Sequence, residues 1–145
     1  MTRVLLPVDD REHACRACSL ATELFSDGTF VLLHVVNPSD AGYSRESAMP
    51  SVAEDWYEQR IEKADGLFDS LEAHIDEQTD GTVFTTERRT EVGQPARTIV
   101  EQIEGGEIDH VVMGSHGRRG ISRLLLGSVA ETVVRRSPVP VTVVQ

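Results

Sequence analysis

The 145 residues suit one domain with a single sizeable core. A formal charge of -10, from 14 basic and 24 acidic residues, disfavours a nucleic acid partner, because a phosphate backbone demands a basic face. The longest apolar stretch, Phe30 to Val36, is far too short to cross a bilayer, and the opening MTRVLLPVDD meets two aspartates before a secretory apolar region forms; a cytoplasmic location and no membrane are expected.

Short apolar runs alternate with segments of helical period, the pattern of a parallel sheet covered on both faces. Val4–Val8 is the first predicted strand. Asp10 is placed as the N-cap of a helix with Ala14, Ala17, Cys18, Ala21, Leu24 and Phe25 on its inner face, ended by Asp27-Gly28. Phe30–Val36 is the second strand, and turn formers fill 37–50. Ser51 and Glu54 have capping-box spacing, and Val52, Trp56, Leu67, Leu71 and Ile75 give the stripe of a long helix that stops at Asp80-Gly81. The third strand, around Val83–Arg89, is polar on alternate residues, which suits a sheet edge. Pro95 opens a third helix with Ala96, Ile99, Val100 and Ile103 inward and Gly105-Gly106 at its end. Ile108–Met113, a glycine-rich loop, a helix from about Ser128 to Arg136 and a last strand Val139–Val144 complete the chain. Pro138 and Pro140 lack N–H donors, so that strand begins at an edge or pairs on one side.

Cys15 and Cys18 form a C-x-x-C, which raises redox or zinc chemistry. Both fall inside the apolar helical pattern and no second pair completes four ligands, so they read as small hydrophobes; His13 and His34 are the nearby residues that could join them. Lys63 is the only lysine among the 14 basic residues, and an acidic, arginine-over-lysine surface suits high internal salt.

Charge is unevenly spread. Residues 113–145 hold five arginines against one acid, a balance of +4, which leaves -14 over residues 1–112. The arginines flank a run that reads Met113-Gly114-Ser115-His116-Gly117-Arg118-Arg119-Gly120, then 121–126, then Gly127-Ser128-Val129, a spacing of G-x2-G-x9-G-S. Glycines let amides approach an anion and permit positive φ, so Gly114, Gly117 and Gly127 can shape a phosphate nest. Ser128 would begin a helix whose dipole, hydroxyl and first amides, its own and that of Val129, face the anion. Arg118 and Arg119 would add mobile positive charge. Taken singly, each piece has a plainer role: a tight turn, an N-cap, a solvated charged face. The spacing is neither of the two commonest phosphate loops. Open α/β sheets take ligands at the carboxyl ends of their strands where the order reverses; if strands one and four are neighbours there, Asp9 faces the glycine loop and can accept from a ribose or adenine donor, its alternative being helix capping.

On these residues the whole chain resembles the universal stress protein family: V-L-L-P-V-D at Val4–Asp9, L-H-V-V at Leu33–Val36, M-G-S-H-G at Met113–Gly117, and L-L-G-S-V-A-E-T-V-V-R-R-S-P-V-P-V-T-V-V at Leu125–Val144. The resemblance implies a Rossmann-like α/β fold of the adenine nucleotide alpha hydrolase-like kind, with one open five-stranded parallel sheet in the order 3-2-1-4-5, helices on both faces, and a homodimer through the final strand. It implies that ATP, or ADP or AMP, is bound, with Mg or Mn bridging the phosphates. Asp9 would meet ribose or adenine, Val35 would line the adenine pocket and Met113 would border it. Gly114, Gly117, Gly127, Ser128 and Val129 would hold ribose and phosphates, and the same site takes in Pro7, His116 and Arg118.

The expected function is a nucleotide-binding module, slow or inert as a catalyst, whose bound state is read by protein partners during stress. An ATP hydrolase or adenylyl-transfer enzyme using His116 or Asp9 is the second reading, and a nucleotide-free dimeric scaffold the third.

Overall fold

A computed structural model describes residues 2–41, 50–80, 83–115 and 126–145. Its elements are β1 (Arg3–Pro7), α1 (Arg11–Leu24), β2 (Gly28–Val36), a 3-10 turn (Pro38–Ala41), α2 (Pro50–Gln78), β3 (Phe84–Val92), α3 (Pro95–Glu104), β4 (His110–Gly114), α4 (Ser128–Arg136) and β5 (Val141–Val144). The five strands form one sheet in the order β3-β2-β1-β4-β5, and every pairing is parallel.

Alternation along β1 divides the core. Val4 and Leu6 face one side of the sheet with Phe30, Leu32 and Val112, where α1 and α2 cover them through Ala17, Cys18, Phe68, Leu71 and Ile75. Leu5 faces the other side with Val31, Leu33 and Val111, under Ile99, Val100 and Ile103 of α3 and Ala130 and Val133 of α4. Phe30, Phe68, Leu5 and Leu6 are wholly buried. Each such side chain contributes about 1.5–3 kcal/mol through apolar burial.

Several expected boundaries shift. Leu24 is 50% exposed and does not join the inner face of α1, whose C-cap is Phe25. Gly28 starts β2, and does so at φ +137 with a Cβ position 2.3 Å from the Thr2 carbonyl oxygen, so only glycine fits there. Ser51 already lies within α2, not at its cap, and Trp56 is a half-buried wall residue outside both core clusters. β3 runs on to Val92 because its backbone pairs with β2 over nine residues, whatever the polarity of its side chains. β5 begins at Val141, not Val139: Pro140 contributes only its carbonyl, which accepts from the Val111 amide at 3.0 Å. β3 and β5 are the sheet edges, as their polarity and prolines imply.

Polar side chains tie the β3 edge down. Arg3 of β1 donates to both carboxylate oxygens of Glu87 at 2.9 and 3.0 Å, and Arg88 reaches Asp69 and Glu72 of α2 at 2.6 and 2.8 Å. Cys18 is fully buried and burial pushes its thiol up to about 12, so it acts as a packing residue; Cys15 is partly buried against the same cluster.

Candidate functional site

β1 sits between β2 and β4, and the connections on its two sides leave for opposite faces: α1 and α2 cover one, α3 and α4 the other. Beyond the carboxyl ends of β1 and β4 the two helix layers diverge and leave a cleft of about 780 Å³. That volume lies within the range of small-molecule sites.

The strand ends supply its floor. Pro7 ends β1 and Asp9 follows it, Val35 comes from β2, Met113 and Gly114 end β4, and Ser115 comes just after. Gly127, Ser128 and Val129 bring the start of α4 to the same cleft. All the described residues that the sequence singled out therefore lie around one space; His116, Gly117 and Arg118 lie outside the described residues.

Local hydrogen bonds explain how the glycine segment is posed. The Gly127 amide donates to the Ser115 carbonyl at 2.7 Å, which ties the start of α4 to the end of β4, and the Ser115 amide donates to the Val144 carbonyl at 2.8 Å, which ties that end to β5. Two expectations change as a result. The Gly127 amide is taken by the protein and is not a donor to a ligand. Gly127 is the N-cap at φ -64 without a side-chain cap bond, so Ser128 is the first helical residue, and neither Gly114 nor Gly127 uses a positive φ. The Ser128 and Val129 amides belong to the first turn, where helical geometry offers no carbonyl partner, and they remain donors at the positive end of the helix.

The capping alternative for Asp9 also falls. Asp10 caps α1, its carboxylate accepting from the His13 amide at 2.9 Å, which leaves Asp9 exposed on the cleft wall at the end of β1. Apolar cover comes from Leu33, Val35 and Ile99, with Pro95 at the first turn of α3. With Met113 they make one side of the cleft apolar, while the start of α4 makes another side polar.

Sequence reasoning missed part of the wall. His13 lines the cleft with its Nδ1 held by Asp10, a pair detectable as Asp and His three apart on a first helical turn. Arg60 of α2 lines both this cleft and an adjoining compartment of about 250 Å³, its guanidinium 5.3 Å from the Trp56 ring centroid. Asn37, Ser39 and Asp40 come from the 3-10 turn region, which no periodicity announced. Among the described residues no three His, Cys, Asp or Glu side chains gather as metal ligands, and no helix is long and apolar enough to cross a membrane.

An open, parallel α/β sheet with its cleft at the reversal of strand order defines the doubly wound class of fold, in which ligands sit outside the carboxyl ends of the strands. Within that class, the chain matches the Universal stress protein family along residues 1–145 and belongs to it. Universal stress protein MJ0531 of Methanocaldococcus jannaschii is 49% identical over 53 residues, 37% of this chain and 31% of its own length, so the match spans about a third of that relative. The structure of universal stress protein UspA from Lactobacillus plantarum superposes with a TM-score of 0.83 at 24% identity, covering 99% of this chain and 97% of that one. A family protein from Arabidopsis thaliana with AMP bound has a TM-score of 0.58 at 21% identity, covering 99% and 91%. One from Archaeoglobus fulgidus in complex with dAMP has 0.64 at 16%, covering 100% and 98%.

Proposed function

We propose that this universal stress protein binds an adenine nucleotide, ATP in the first place, and acts as a regulatory module whose loaded state is read by other proteins. The observation that carries the reading is the joint placement of Asp9, Val35, Met113, Gly114, Ser128 and Val129 around one cleft at the reversal of strand order. Adenine would lie against Val35 and Met113, Asp9 would accept from the ribose, and the phosphates would meet the first amides of α4. Similar folds that hold AMP and dAMP support the ligand class. With no cluster of three or more carboxylate, His or Cys side chains among the described residues, a magnesium or manganese ion would be held mainly by nucleotide phosphate oxygens and water, and would neutralise phosphate charge.

Calorimetry with magnesium ATP, AMP and GTP tests this. Heat is expected for the adenine nucleotides, with loss in Val35→Arg, which places a long charged side chain in the apolar part of the cleft. Equal heats for the wild type and Val35→Arg would remove the reading. A cytoplasmic stress role and a homodimer belong to the same proposal. Among the described residues β5 pairs only with β4, and its four residues are all partly exposed, which supports association along that strand. Sedimentation at micromolar concentration checks it, and a monomer there would remove the dimer.

A further inference from the structure

We propose that the cleft hydrolyses the terminal phosphoanhydride bond of a bound nucleoside triphosphate, with His13 as the general base and Asp10 as its positioning residue. The proposal rests on the nucleotide reading above. Asp10 holds the imidazole from two directions. Its Oδ1 accepts from the His13 backbone amide at 2.9 Å, and its two carboxylate oxygens lie 3.0 and 2.8 Å from His13 Nδ1. A carboxylate accepts, so Nδ1 is the donating nitrogen, and in the unprotonated ring that a base requires the lone pair is on Nε2.

Among the described residues Nε2 makes no hydrogen bond, and the His13 side chain is 32% exposed. The ring lines the same cleft as Gly114, Ser128 and Val129. A base oriented by a carboxylate, lining the same cleft as donors suited to a phosphate chain, meets two of the conditions for proton abstraction from a water. His34 differs in place. Its Nδ1 donates to the Val8 carbonyl at 2.9 Å, but the ring lines the adjoining compartment and not the main cleft.

The step balances without a redox partner. A water oxygen bonds to the terminal phosphorus while its proton passes to His13 Nε2. The bond from that phosphorus to the bridging oxygen breaks, its electron pair staying on the diphosphate. Diphosphate nucleotide and phosphate leave, and the imidazolium returns its proton to solvent.

Phosphate release and ATP binding are measured separately on the whole chain with magnesium ATP. His13→Gln is expected to lower kcat by about a hundredfold or more, the usual weight of a general base. Its Kd for ATP should stay within about threefold of the wild type, a split between chemistry and binding that a merely structural role does not produce. Asp10→Asn keeps the helix cap but not the enforced tautomer, and should lose at least about tenfold in kcat; it carries the test if His13→Gln does not fold. Equal kcat in the wild type and the folded variants, or ATP binding without phosphate release, overturns the hydrolytic role and leaves the nucleotide reading standing. No ATP binding by the wild type overturns both.

Discussion

Asp10→Ala measures how much of the cleft's geometry hangs on one carboxylate. In the wild type that group accepts the His13 amide at 2.9 Å as the N-cap of the fourteen-residue α1, and also holds the His13 ring. Removing an aspartate cap costs about 0.5–2 kcal/mol. The partly exposed ring contact adds at most about 1 kcal/mol, as for other surface pairs. A loss of about 0.5–3 kcal/mol should lower Tm by roughly 2–9 °C for a chain of this length. Asp10→Asn retains a cap acceptor and should stay within about 0.5 kcal/mol. Thermal unfolding by circular dichroism at fixed pH and salt reads both. A Tm for Asp10→Ala within about 1 °C of the wild type, or an equal fall in Asp10→Asn, refutes the reasoning.

Further expectations concern buried and charged groups. Cys18, with its thiol pushed up to about 12 by burial, should resist iodoacetamide at pH 8 in the native protein and react once the chain is unfolded, which mass spectrometry of the peptides decides. Cys18→Ser should cost about 1–3 kcal/mol by denaturant titration, as an unsatisfied hydroxyl in an apolar cluster does. Burial lowers the pKa of His110, whose Nε2 lies 2.7 Å from Thr142 Oγ1 and whose ring packs edge-on to Phe25. The unfolded chain then takes up the proton first, so stability should fall as pH drops below about 6.5 and toward the lower folded value; urea titrations of His110→Gln should show a flatter profile there. With a net charge of -10 and one lysine, Tm should rise steeply with molar KCl, and a flat response would remove the high-salt reading.

The regular elements were legible because their pattern is local. Ala14, Ala17, Cys18 and Ala21 at helical spacing, and the continuous run Phe30–Leu33, state which residues are inside before any partner is known. Misplaced residues had their fate settled by partners distant in the chain. Leu24 points outward where α1 ends at Phe25, β3 extends to Val92 because β2 offers nine paired residues, and Trp56 lines a cavity that exists only once α2 crosses the ends of β1 and β2.

At the cleft the same division holds. The types and spacing of Gly114, Gly127, Ser128 and Asp9 singled them out, and all four line the cleft, since missing side chains and helix starts are properties of the chain itself. Which amides remain open depended on folding. Gly127 gives its N–H to Ser115, and Asp10 takes the cap and so leaves Asp9 on the wall. His13 and Arg60 arrive from helices packed on the face of the sheet that carries α1 and α2, more than 45 residues apart in sequence. Composition and period along the chain determined the strands and the helices. Only the three-dimensional packing decided which hydrogen-bonding groups pair with one another and which residues line the cleft, because those pairings join parts of the chain that local sequence does not connect.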